Sequence, residues 1–208
     1  MKEDDDMNKI QTIIEAIKTE EREFTKQGWH PILRAHKDSR ILIIGQAPGI
    51  KTQLRNDVFR DQSGDRLRDW MGIDETVFYD THLISVLPMD FYFPGKAKTG
   101  DNPPRKEFAD KWHPKLIKEM PNIELIILIG AYAINHYLKE SKKRNLTETV
   151  KHFDEYLPLY FPLVHPSPLN RRWEVKNPWF ETEVIPVLKT KIKKQLEKYE
   201  LANGDIIE

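Results

Sequence analysis

The chain has 208 residues, 39% hydrophobic and 32% charged, enough for one well-buried domain and short for two. Lys plus Arg and Asp plus Glu number 33 each, so the net charge is zero, which counts against tight non-specific binding to nucleic acid and requires any positive surface to be local. Cysteine is absent, which excludes disulfides, thiolate zinc sites and iron–sulfur clusters and fits a reducing cytoplasm.

The chain opens on Lys2-Glu3-Asp4-Asp5-Asp6, acidic where a secretion signal would be basic and then apolar. The acidic run reads equally as a tail or as a regulatory contact. Residues 7–27 carry Ile10, Ile13, Ile14 and Ile17 at helical spacing, with Gly28 as the stop. Residues 40–45 read as a buried strand. A second strand is expected over 76–86, a third over 124–129 closed by Gly130, and a fourth over 159–164. Helical patterns fall at 64–71, 104–120, 131–139 and 178–198, with a kink or break expected at Pro186. Residues 88–105 form the longest expected loop, and loops of that length in compact domains are usually functional.

Short apolar runs without alternation suit a parallel sheet covered on both faces. The expected fold is a three-layer α/β/α sandwich around a central, mainly parallel four-stranded sheet. One domain is expected over 1–208, with an acidic segment and helix at 1–28 and the core at 40–195. The longest apolar runs, 41–44 and 125–129, are too short to cross a bilayer. A cytoplasmic monomer with no membrane partner is expected.

Two segments carry chemistry. Gly45-Gln46-Ala47-Pro48-Gly49 follows the first strand directly, at the carboxyl end where open α/β sheets bind ligands. Its backbone N–H groups can point at a ligand, although such a turn alone is more often plain punctuation. It lacks the Lys of a phosphate loop. His165-Pro166-Ser167-Pro168-Leu169-Asn170 follows the last strand. Its prolines fix the backbone, and a rigid His with Ser two residues on can donate to an oxyanion and to a phosphate.

Together these loops resemble the uracil-DNA glycosylase superfamily over roughly residues 40–195. The first loop is most similar to the branch with Gly-Glu-Ala-Pro-Gly, Gln46 replacing the Glu. That branch commonly holds an iron–sulfur cluster on four cysteines, so this chain resembles a cluster-free relative, with no cofactor and no metal. The resemblance implies a uracil-DNA-glycosylase-like fold and a hydrolase that cleaves the N-glycosidic bond of uracil, or of a related deaminated or damaged base flipped out of DNA, in base-excision repair. It implies that His165 donates to the departing base, that Ser167 grips a phosphate, that Leu169 wedges into the gap and that Phe59 stacks on the extruded base. Gln46 and the backbone of Gly45, Ala47, Pro48 and Gly49 would lie beside base and sugar. Gly49 falls where one branch has a Tyr that excludes the thymine methyl. The family's best-known branch has a water-activating Asp where this chain has Ala47. The Asn that reads the uracil edge at the second strand is matched by His82.

The chemistry needs a carboxylate or an activated water near the sugar. Asp61 is the first candidate, against an even chance that it only caps the next helix; Asp80 and then Asp57 follow. Asn170 and Arg171 (with Arg172) suit the DNA backbone. His82, His113 and His165 lack zinc-site spacing. Trp179 and Phe180 read as core anchors of the last helix. The alternatives are a non-catalytic or weakly active DNA- or nucleotide-binding relative, and an N-glycosidase of free nucleosides or nucleotides.

Overall fold

The computed structural model describes residues 2–204, and side chains over 9–204. The chain opens with α1 (Lys2–Glu20) and α2 (Arg22–Lys26), followed by Gly28 in the left-handed conformation. The expected helix over 7–27 is therefore two helices, and it includes the backbone of the acidic run, whose side chains lie outside the described residues. Ile10 and Ile17 are buried and Ile13 and Ile14 pack on the core.

Strand β1 (Ile41–Ile44) leads into α3 (Ile50–Arg55), α4 (Gln62–Met71) and α5 (Glu75–Tyr79) before β2 (Ile84–Val86). The strand expected over 76–86 is corrected here: its first half is helical. Gly72 ends α4 in the left-handed conformation, and Asp74 then caps α5 by accepting from the Val77 N–H at 2.8 Å. That cap starts a new helix, whose buried Val77, Phe78 and Tyr79 imitate a strand in the sequence.

A long loop leads to α6 (Phe108–Lys118), then β3 (Leu125–Ile129), α7 (Gly130–Leu138) and α8 (Leu146–Lys151). After β4 (Tyr160–Leu163) come α9 (Arg171–Lys176), a π-helical turn over Phe180–Val184 and α10 (Ile185–Asn203). The break expected at Pro186 is this wide turn; proline offers no N–H to the carbonyl one turn earlier, and the backbone adapts upstream. Phe180 is buried edge-on to Trp70, Trp173 and Trp179, the anchor expected there.

The strands pair in parallel in the order β2-β1-β3-β4. Every residue of β1, β2 and β3 is buried, as a sheet covered on both faces requires. Pro162 is tolerated because β4 is an edge strand. With the strand order β2-β1-β3-β4, the right-handed rule for parallel crossovers puts α3–α5 on one face and α6–α7 on the other. Helix α10 packs against α4, and α1 against α6, which completes three layers. The chain reverses its winding direction at β1, so the carboxyl ends of the strands open a crevice beside β1 and β3.

Candidate active site

A cavity of about 440 Å³ lies at that crevice. Each strand contributes to its wall at or just past its carboxyl end: Gly45 after β1, Val86 on β2, Ile129 on β3 and His165 after β4. Gln46, Ala47, Pro48, Gly49, Phe59 and Asp61 share the same lining, whereas the expected His82 and Asp80 are absent from it. The two distant loops thus face one space.

The first loop is pinned from the side. Its neighbour after β2 extends the sheet pattern, with Met89 N–H donating to the Gly45 carbonyl at 2.9 Å and Asp90 N–H to that of Gln46 at 3.2 Å. Pro88, just before Met89, lines the cavity, and its carbonyl accepts from the Nε2 of buried His113 at 2.9 Å. Burial lowers the pKa of His113 to about 4, so the ring is neutral, donating from Nε2 and accepting from the Tyr137 hydroxyl at Nδ1, 2.7 Å away.

Phe59 stands at φ 52, in the left-handed region that side chains seldom adopt. Its carbonyl oxygen accepts from the Tyr79 hydroxyl at 2.6 Å and from Arg68 Nη1 at 3.0 Å. Its ring lies edge-on to Phe78 with centroids 6.2 Å apart. Two residues on, Asp61 is both a helix cap and part of the cavity wall. One carboxylate oxygen caps α4 by accepting from Gly64 N–H at 3.0 Å, and the residue lines the cavity.

His165 is half-buried and lines the cavity. Burial lowers its pKa below the ordinary histidine range, and the charge of Asp61 pulls it back up. Its Nδ1 accepts from the Ser167 N–H at 3.1 Å. The neutral ring therefore carries its proton on Nε2. Asn170 closes the loop by donating its side-chain amide to the His165 carbonyl at 2.7 Å. The Ser167 hydroxyl accepts from Leu169 N–H at 3.2 Å. Leu169 is 90% exposed and does not line the cavity, and Arg171 and Arg172 are exposed at the start of α9.

His82 and Asp80 are corrected. Both precede β2, whose carboxyl end lines the cavity, and so lie toward the opposite end of the sheet. His82 stacks on His36 with centroids 3.6 Å apart, and its backbone N–H donates to the Tyr199 hydroxyl. Asp80 is an exposed residue ending α5. The true end of β2 offers Val86 and Pro88 to the cavity and no carboxamide. Asp57 is held by Arg60 at 2.9 Å and lines a neighbouring recess instead.

Lys96 and Asp101 also line the cavity, and sequence reasoning missed them. They pair at 2.6 Å across a tight turn of the long loop. Asp101 Oδ2 lies 3.7 Å from where a Cβ on Gly49 would stand. The signal available was the loop's length alone. Lys51, Thr52 and Ser63 add further polar groups.

Fold and cavity define a class: a three-layer α/β/α protein of the uracil-DNA glycosylase type, with its ligand space at the carboxyl ends of a parallel sheet. The chain matches the Uracil DNA glycosylase superfamily over residues 34–189 and belongs to that family. Membership supports a glycosylase-like function in general. Among the described residues no helix is long and apolar enough to cross a membrane.

Proposed function

We propose that the protein excises uracil, or a closely related deaminated or damaged base, from DNA by hydrolysing its N-glycosidic bond. The observation that carries this reading is the convergence of Gly45–Gly49, Phe59, Asp61 and His165 on one cavity. A base inside a duplex is out of reach, so the target nucleotide must leave the stack. Phe59 offers its face to the extruded ring, a contact of about 1 to 3 kcal/mol.

As the C1′–N bond breaks, the electron pair goes to the base. His165, neutral with its proton on Nε2, donates that N–H to a ring carbonyl oxygen and disperses the charge. A fixed donor of this kind contributes on the order of 100- to 1000-fold in rate. Water attacks C1′ and passes a proton to a carboxylate. Asp61 serves this step, its second oxygen being left over from the cap; Gln46 orients the water, having no capacity to take its proton. The products are an abasic sugar and the base, which leaves as an anion and then takes up the proton that water gave to Asp61. Ser167, Leu169, Asn170 and Arg171 form the DNA side, with Leu169 filling the space of the flipped nucleotide and Arg171 meeting a phosphate. Ser167 Oγ accepts from Leu169 N–H and keeps its O–H to donate to a phosphate, whereas Asn170, donating to the His165 carbonyl, shapes the loop.

The test is single-turnover cleavage of uracil- and hypoxanthine-containing oligonucleotides, with free deoxyuridine monophosphate as control. Asp61→Asn keeps a capping oxygen and removes the base, so the rate should fall at least 100-fold with the fold intact. Loss with Asp101→Asn instead would transfer the proton to the other carboxylate of the cavity. Cleavage of the free nucleotide alone would exclude DNA as the substrate.

A further inference from the structure

Arg66, on α4, is absent from the cavity wall, yet it holds the loop that carries His165. Its Nη1 donates to the Ser167 carbonyl at 2.8 Å and to the Pro166 carbonyl at 3.3 Å. Its Nη2 meets both carboxylate oxygens of Glu174 on α9. The two side chains are 24% and 18% exposed, and the guanidinium lies 5.3 Å from the Trp70 ring centre.

The Pro166 carbonyl and the Ser167 N–H belong to one planar peptide unit. Arg66 holds its carbonyl end, and its N–H end donates to His165 Nδ1 at 3.1 Å. A cation at the carbonyl polarises the N–H across the same unit and strengthens that second bond. An Nδ1 that accepts a hydrogen bond cannot carry the ring proton, which is thereby kept on Nε2.

We propose that Arg66 is a positioning residue for His165: held by Glu174, it fixes the Pro166–Ser167 peptide, and that peptide sets the tautomer of the imidazole. The inference rests on the role given to His165 above. The same guanidinium ties the His165 loop to α4, whose first turn is capped by Asp61, so one side chain sets the spacing between leaving-group donor and carboxylate. Lys cannot substitute, because one ammonium lacks the planar fork that reaches two carbonyls and a carboxylate together.

The test combines nitrogen NMR of the His165 ring with single-turnover cleavage and binding of a uracil-containing oligonucleotide. It compares the intact protein with Arg66→Met, Arg66→Lys and Glu174→Gln. The intact protein should show the Nε2–H tautomer. Both Arg66 variants should show a mixture of tautomers and a rate lowered about tenfold or more, with DNA binding changed less than twofold. Glu174→Gln, which keeps an acceptor, should move both readouts less and in the same direction. An unchanged tautomer in the Arg66 variants would overturn the inference, and that readout needs no turnover. Equal losses of rate and binding would also overturn it, as the mark of general disruption. Should Arg66→Met not fold, Arg66→Lys and Glu174→Gln carry the test. His165→Ala separates the two levels: full activity there defeats the role of His165 itself, whereas loss there with active Arg66 variants defeats only the positioning role.

Discussion

At Gly64 the backbone of α4 passes so close to Phe59 that a Cβ would lie 1.7 Å from the Phe59 carbonyl oxygen. Ala is the better helix former, but here the added methyl must push Phe59 from its place. Gly64→Ala should destabilise the protein by roughly 3 kcal/mol, at the upper end of single substitutions, and a urea midpoint measures it. His113 makes a second claim. Its folded pKa of about 4 lies below the ordinary 6.5, so between those values the unfolded chain binds a proton that the folded chain refuses. Stability is therefore full above pH 6.5 and falls as the pH drops toward 4, at up to about 1.4 kcal/mol per pH unit. Denaturant midpoints from pH 7 to pH 4.5 should show the fall, and His113→Gln should flatten it. His165 and the Gly45–Gly49 loop were legible in the sequence because rigid or permissive residues directly follow apolar strands. Asp101 was not, since its place beside Gly49 depends on how a distant loop folds back.

The loop between β2 and α6 is held as a unit by one ion cluster. Asp90 is fully buried; it accepts from the Arg105 backbone N–H, from its guanidinium at 2.7 and 2.8 Å, and from the Tyr92 N–H. The same guanidinium reaches Glu21, the residue between α1 and α2, with two bonds of 2.8 Å. This pairing explains why the helix expected from residue 104 starts only at Phe108: Arg105 is committed to Asp90, and Glu107 turns left-handed before the helix begins. Arg105→Met would leave a buried carboxylate unpaired, a loss of about 3 to 5 kcal/mol. Hydrogen exchange should then rise across residues 87–107, around Lys96 and Asp101, while β1 and β3 stay protected. Unchanged exchange there would remove the cluster from its organising role. The strands β1, β3 and β4 were readable as unbroken apolar runs. The start of β2 was not, because buried Val77, Phe78 and Tyr79 fit a short capped helix as well as a strand. That misplacement carried His82 and Asp80 into the expected site.

Across the whole molecule the net charge is zero, so attraction to DNA has to come from a few local cations around the cavity rim. Arg171 and Arg172 are exposed beside Leu169, which stands out at 90% exposure. With about two or three phosphate contacts, the logarithm of the binding constant should fall with that of salt at a slope near −2 to −3. Leu169→Ala should weaken binding to uracil-containing duplex while shifting stability by less than about 0.5 kcal/mol, as exposed positions do. The most direct measurement is single-turnover release of uracil from an oligonucleotide by the intact protein and by His165→Ala. The intact chain should release uracil, and the variant should do so about 100- to 1000-fold more slowly, the scale of a lost oxyanion donor. An equal rate in the two proteins would contradict that role of His165.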